Sequence, residues 1–91
     1  MMSPVTQRRF ARALHAGGPE VIEVGVEELA PLKPDEVLVR VEAAGLNHAE
    51  TLIRSGNYAV RLPFPYPLGG EGSGVVTAIG PEVAIPVGAR V

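Results

Sequence analysis

The stretch Leu68-Gly-Gly-Glu-Gly-Ser-Gly-Val-Val-Thr-Ala-Ile-Gly80 decides how this chain is interpreted. Glycines at alternate positions, Gly70, Gly72 and Gly74, lead directly into a run of β-branched and apolar residues. A dinucleotide-binding loop has a different glycine spacing and is followed by a helix, not by a strand. We therefore interpret the three glycines as points where two backbones approach closely in a small β-rich fold.

Short strands separated by glycine and proline turns recur along the chain. The clearest alternation of apolar residues covers residues 37–43, and residues 21–26 predict a second, half-buried strand. A third strand is predicted over residues 75–79, and residues 86–91 predict a turn that enters a fourth. The three prolines within residues 57–68 predict an irregular connection. The pattern predicts a mainly β fold with a short helix, arranged as a partly open β-barrel.

The short helix is predicted just after Gly45. Asn47 is a favoured N-cap residue, Glu50 stands where it would complete a capping box, and Gly56 is a candidate C-cap. Two interpretations of Asn47 stay open. It caps the helix and does nothing more, or its carboxamide points into a cleft and hydrogen-bonds a nicotinamide or a substrate carbonyl. The two are compatible, because the polar start of a helix is suited to receive an electron-rich group.

Two further side chains are candidates for chemistry, His48 and Tyr58. His48 has no second His or Cys at a metal-ligand spacing, since the other histidine, His15, is distant in the sequence. We expect His48 to be a solvated residue. Tyr58 falls in the irregular connection, where binding residues concentrate. Its phenol either donates a proton or hydrogen bond to a bound molecule or packs against the proline-rich segment, and both interpretations stay open.

Composition excludes several classes of function. The 91 residues carry ten acidic and eight basic side chains, so we expect no basic surface for nucleic acid or an anionic membrane. Because the chain lacks cysteine, it has no disulfide and no thiolate metal site. Arg8-Arg9 is not followed by the apolar segment of an export signal, and no apolar run is long enough to span a membrane. We therefore predict a cytoplasmic protein with a disordered leader over residues 1–9 and a folded part over residues 10–91.

Six collinear segments carry a family resemblance. They are Gly17-Gly-Pro-Glu-Val21, Pro34-Asp-Glu-Val-Leu-Val-Arg-Val41, Ala43-Ala-Gly-Leu-Asn47, Ile53-Arg-Ser-Gly56, Gly69-Gly-Glu-Gly-Ser-Gly-Val-Val76 and Val87-Gly-Ala-Arg-Val91. Together they resemble the zinc-independent quinone oxidoreductase (zeta-crystallin-like) branch of the medium-chain dehydrogenases/reductases. The resemblance implies a GroES-like, partly open β-barrel, with residues 10–91 as the N-terminal part of the alcohol-dehydrogenase-type catalytic domain. It also implies an active site in a cleft against a Rossmann domain that binds NADPH.

The resemblance implies a chemistry as well. Enzymes of this branch transfer a hydride from NADPH to quinones or α,β-unsaturated carbonyls, and Asn47 and Tyr58 would lie near the nicotinamide and the substrate. Relatives with catalytic zinc carry Cys where Asn47 stands and His where Gly70 stands, so no zinc is expected here. Many quinone oxidoreductases carry Tyr where this chain has Leu52, so one polar contact to the substrate is missing.

Two alternative functions stay open. A related branch reduces enoyl thioesters and carries a Tyr after a Gly-x pair, as in Gly56-Asn57-Tyr58. A stand-alone GroES-like barrel would instead act as a binding or assembly module. Because the family's first domain continues past the position of Val91, the resemblance implies a fragment truncated before the Rossmann domain and inactive by itself. Uncovered edge strands would then favour a homo-oligomer.

Overall fold

The computed structural model describes residues 7–91, in which β-strands and one short α-helix are joined by turns. In chain order the elements are β1 (Gln7–Ala13), a 3-10 turn (Pro19–Val21), β2 (Ile22–Glu28), β3 (Val37–Ala44), α1 (His48–Ser55), β4 (Tyr66–Pro67) and β5 (Gly72–Ile79). The predicted mainly β class with a short helix is confirmed. Within these residues, no helix has the length and apolar composition that crossing a membrane requires. Contacts divide the described chain into two units, one of residues 7–29 and 46–70 and the other of residues 30–45 and 71–91.

The first unit is built on an antiparallel sheet with the strand order β2-β1-β4. One face of the β1–β2 pair carries two cross-strand ion pairs, in which Arg8 lies 2.6 Å from Glu27 and Arg12 lies 2.5 Å from Glu23. Exposed ion pairs of this kind each contribute only about 0–1 kcal/mol. The unit therefore depends mainly on its backbone ladder and on apolar burial, of which Ala13 at the end of β1 is the clearest case.

Strand β2 turns its apolar side outward. The strand predicted at residues 21–26 is confirmed, but Val24 and Val26 are 75% and 59% exposed. Glu23 and Glu27 are the half-buried residues, because the arginines of β1 pair with them across the strand. Side chains of Ile22, Val24 and Val26 thus form an exposed surface, called here the β2 apolar face.

The start of β1 corrects the predicted boundary of the folded part. The sequence predicts a disordered leader over residues 1–9, but residues 7–9 belong to β1. They are held there by partners on β2, since the side-chain amide of Gln7 donates a 2.8 Å hydrogen bond to Glu28. The prediction was therefore wrong for residues 7–9, and residues 1–6 lie outside the described part of the chain.

The second unit is an antiparallel pair of β3 and β5, with two shifts of register along its length. On its other side β5 pairs with the last residues, where Gly74 and Val91 exchange two backbone hydrogen bonds of 3.0 Å. This pairing confirms the turn predicted at residues 86–91, but in place of the strand predicted after it there is only an isolated bridge between Arg90 and Val75. Val76, in the centre of β5, is fully buried.

Two of the alternate glycines lie where β3 and β5 meet. A Cβ atom at Gly74 would collide with the carbonyl oxygen of Arg40 on β3. At Gly72 a Cβ atom would lie 3.3 Å from the carbonyl oxygen of Ala43, a tight but smaller conflict. The predicted close approach of two backbones is confirmed at Gly74 and, less strictly, at Gly72. It was wrong for Gly70, where, among the described residues, no backbone atom beyond its chain neighbours lies within 4 Å of a Cβ position.

Candidate functional site

Helix α1 begins at the N-cap Asn47, as predicted. The backbone is extended there (φ −127°, ψ 153°), and the N–H of Asn47 donates to Oε2 of Glu50 at 3.2 Å. The N–H of Glu50 in turn donates to the backbone carbonyl of Asn47 at 3.2 Å. The carboxamide of Asn47 approaches this N–H, as in a capping box, without forming a cap hydrogen bond. Within the described residues, the exposed Asn47 side chain turns its oxygen toward this N–H and keeps its two amide N–H donors free.

The same Glu50 carboxylate also binds a distant part of the chain. Its other oxygen, Oε1, accepts a hydrogen bond of 3.1 Å from the N–H of Gly70. One side chain thus joins the backbones of Asn47 and Gly70. The capping pattern predicts the bond to Asn47, but the bond to Gly70 spans 20 residues and was missed, because no local pattern signals it.

The other end of α1 is also anchored by hydrogen bonds. Gly56 adopts a left-handed conformation (φ 82°) and ends the helix, as predicted. Arg54 donates from Nη1 to the carbonyl oxygen of Gly17 at 2.7 Å, and the N–H of Gly17 donates to the carbonyl of Arg54 at 2.8 Å. The C-terminal end of α1 is therefore joined to the turn that follows β1.

Tyr58 lies just past this anchored end and lines a pocket of about 490 Å³. The other lining residues are Ala16, Ile53, Gly56, Ala59, Val60, Arg61, Leu62 and Phe64. Tyr58 is 39% exposed. Its exposure and its place in the pocket lining are compatible with contact to a bound molecule, which stays a prediction.

The structure does not place Asn47 and Tyr58 in a common pocket. Asn47 precedes α1 and Tyr58 follows it, and an eight-residue helix is about 12 Å long. Both residues belong to the same unit, and both ends of the helix are held by hydrogen bonds. The separation between the two candidates is therefore set by α1.

The described residues offer no cluster of metal ligands. No group of three His, Cys, Asp or Glu side chains that could hold a metal ion occurs within residues 7–91. His48 is exposed at the start of α1, as expected. A Cβ atom at Gly70 would meet only Oε1 of Glu50, at the ordinary contact distance of 3.9 Å. Position 70 therefore has space for a side chain, although this chain provides none.

Comparisons with known proteins identify relatives of this chain. Residues 33–91 match the model of the alcohol dehydrogenase GroES-like domain. Human quinone oxidoreductase is 40% identical over 73 residues, which are 79% of this chain and 22% of that protein. The quinone oxidoreductase of Pseudomonas aeruginosa is 47% identical over 76 residues, or 82% of this chain and 23% of that protein. The crystal structure of Escherichia coli quinone oxidoreductase complexed with NADPH superposes with a TM-score of 0.74 at 35% identity, covering 91% of this chain and 26% of that one.

The chain thus spans about a quarter of the length of these relatives. The resemblance to quinone oxidoreductases that the sequence motifs carry is confirmed, and so is the GroES-like fold class. Since the domain model spans more than half of its residues, the chain belongs to the alcohol dehydrogenase GroES-like domain family.

Proposed function

We propose that this chain is part of an NADPH-dependent, zinc-free oxidoreductase that reduces quinones or α,β-unsaturated carbonyls by hydride transfer. Asn47 orients the carbonyl of the acceptor and contacts the nicotinamide, and Tyr58 supplies a hydrogen bond or a proton. Support comes from relatives that are quinone oxidoreductases, one of them crystallised with NADPH. The cytoplasmic location and the homo-oligomeric state inferred from the sequence remain predictions.

The observation that carries this proposal is the state of Asn47. Its backbone is held by Glu50 and its carboxamide oxygen faces the N–H of Glu50 in the capping box, while its exposed amide N–H groups have no partner within the described residues. A fixed amide donor stabilises negative charge that develops on a carbonyl oxygen, because it needs no reorganisation during the reaction. Neither the carboxamide of Asn47 nor the bare backbone of Gly70 is a zinc ligand, so the proposal uses no metal.

The residues of this chain fit one end of the dinucleotide only. The glycines of residues 69–74 lead into β5 and not into a helix, so they do not fit a pyrophosphate. The carboxamide of Asn47 fits the nicotinamide end, since it can donate to one amide and accept from another. When bound, NADPH supplies the hydride.

The acceptor receives a hydride and a proton in the proposed reaction. Reduction of a quinone to a hydroquinone requires one hydride, which carries two electrons, and one further proton. The Asn47 carboxamide donates a hydrogen bond to the acceptor oxygen as it becomes negative. The Tyr58 phenol, which α1 separates from Asn47, relays the further proton to the acceptor through water from its own pocket.

The test is an activity assay of the complete protein as its source makes it. NADPH oxidation is followed with a benzoquinone, a simple enone and an enoyl thioester as separate acceptors, with and without a zinc chelator. We expect quinone and enone reduction that the chelator does not change. A preference for the thioester would favour the enoyl-thioester reductase. If none of the three acceptors oxidised NADPH, the proposal would be overturned in favour of a binding or assembly module.

The role of Asn47 is tested by Asn47→Ala. Removing an oxyanion donor lowers kcat by about a hundredfold. The free energy of unfolding should fall by only about 1 kcal/mol, the usual contribution of an N-cap asparagine. The matched control is Asn57→Ala, which removes an exposed carboxamide bound only to Ser55. A kcat that falls equally in both variants would contradict the assignment of Asn47.

A further inference from the structure

We propose that Glu50 is a positioning residue whose single carboxylate fixes the backbone of Asn47 against that of Gly70. The inference rests on the proposed function for its catalytic consequence. Glu50 touches neither substrate nor cofactor in this scheme. It acts by holding the residue that does.

The geometry gives each carboxylate oxygen a separate task. Oε2 accepts from the N–H of Asn47 at 3.2 Å, and Oε1 accepts from the N–H of Gly70 at 3.1 Å. An ionised carboxylate accepts both bonds at once, whereas a carboxamide has one acceptor oxygen and carries donors on its other atom. Hydrogen bonds to a charged acceptor are also stronger than those between neutral groups. Glutamine at position 50 therefore keeps at most one of the two bonds.

The two bonds also close a loop of the chain. The connection that carries Tyr58 leaves the C-terminal end of α1, where the N–H of Asn57 donates to the carbonyl of Leu52 at 2.9 Å. It returns to the N-terminal end of the helix, where Gly70 binds Glu50. Loss of the Glu50 carboxylate removes the hydrogen bonds at the N-terminal end of α1, beside Asn47. The hydrogen bonds at the C-terminal end of α1, beside Tyr58, remain. The expected defect is thus confined to the residue that orients the carbonyl.

The experiment is a double-mutant cycle in the complete protein, with Glu50→Gln, Asn47→Ala and both together. In the wild-type background, E50Q should lower kcat about tenfold, the usual worth of a charge-assisted hydrogen bond, and leave the KM for NADPH unchanged. In the N47A background, E50Q should lower kcat no further, because the side chain that Glu50 positions is already gone. A purely structural Glu50 would lower kcat equally in both backgrounds. If E50Q fails to fold, Glu50→Asp, which keeps the charge on a shorter side chain, replaces it in the cycle.

A second measurement reports the hydrogen bonds without reference to activity. Hydrogen–deuterium exchange followed by mass spectrometry should show about tenfold faster exchange in E50Q for the peptide that contains residue 70. The matched control is Glu36→Gln, since Glu36 also accepts from a backbone N–H three residues earlier, that of Lys33 at 2.8 Å, but from no second group. E36Q should change neither the exchange at residue 70 nor kcat.

The outcomes separate the two proposals. If the wild-type enzyme is active and the effects of E50Q and N47A on kcat are additive, the positioning role of Glu50 is overturned and the proposed function is not. Unchanged exchange at residue 70 in E50Q overturns the link between Glu50 and Gly70. A wild-type protein that reduces neither quinones nor enones overturns the proposed function and the positioning role together, while the exchange result still shows whether the two backbones are joined.

Discussion

A single added methyl group should have very different effects at the three alternate glycines. At Gly74 the new Cβ atom would collide with the carbonyl oxygen of Arg40. The backbone of Gly74 is buried and exchanges two hydrogen bonds of 3.0 Å with Val91, so it cannot move away without weakening that pairing. At Gly70 the nearest atom, Oε1 of Glu50, is 3.9 Å away and no backbone obstructs the new group.

These contacts set the expected magnitudes. Gly74→Ala forces a backbone shift in a filled site, which costs about 1–3 kcal/mol, and strains a ladder hydrogen bond worth about 1 kcal/mol. We therefore expect it to lower the free energy of unfolding by about 2–4 kcal/mol. Gly72→Ala, whose Cβ atom would lie 3.3 Å from the carbonyl oxygen of Ala43, should cost about 1 kcal/mol. Gly70→Ala should be neutral or stabilising by up to about 0.5 kcal/mol, because alanine restricts the unfolded chain.

The assay is urea unfolding of the three variants beside the wild-type protein. With a slope of about 2 kcal/mol per molar urea, G74A should move the midpoint down by about 1–2 M, and G70A should leave it unchanged. The reasoning would be refuted if G70A were as destabilising as G74A. That result would mean that a close backbone approach is needed at Gly70, as in a phosphate loop, and that the contacts between β3 and β5 do not explain the glycine pattern.

Two further predictions concern Tyr58 and the β2 apolar face. Tyr58→Phe should lower kcat about five- to tenfold, the worth of one hydrogen bond, with an unchanged melting temperature, because the side chain is 39% exposed; an unchanged kcat would show that the phenol takes no part. Val24→Lys places a charge on an edge strand at a side chain that is 75% exposed. Sedimentation of the 91-residue chain should then show less self-association than the wild-type chain, and equal self-association in both would exclude this face as its cause.

Local sequence signals account well for α1. Asn47, Glu50 and Gly56 mark its start, its capping partner and its end, and each of these depends on residues only a few positions away. The turn at residues 86–91 was predicted for the same reason, since Gly88 takes the left-handed conformation (φ 94°) that the turn requires, whereas the strand predicted after it is only an isolated bridge to β5. Features of this kind are visible in a single sequence, because the groups that make them are neighbours along the chain.

Features that depend on distant partners were predicted less well. Residues 7–9 were assigned to a disordered leader, because their polar side chains show no apolar alternation. They form a strand through pairing with β2. For a related reason, the sequence does not indicate which side of β2 is exposed. Glu23 and Glu27 are held by Arg12 and Arg8, and the spacing within residues 21–26 carries no information about those partners.

The bond between Glu50 and Gly70 shows how the backbone of Asn47 is held while the amide group that we propose to act on the acceptor stays exposed. A metal ion would join positions 47 and 70 through their side chains, and those side chains would then be occupied as ligands. Here the two positions are joined through backbone N–H groups, both of which donate to one carboxylate. The Asn47 carboxamide takes part in the capping box through its oxygen, but its amide N–H groups stay exposed and without a partner in the described residues. Removing the Asn47 carboxamide should therefore impair the reaction far more than the fold. Removing the Glu50 carboxylate should impair the reaction only in a protein that still has the Asn47 carboxamide.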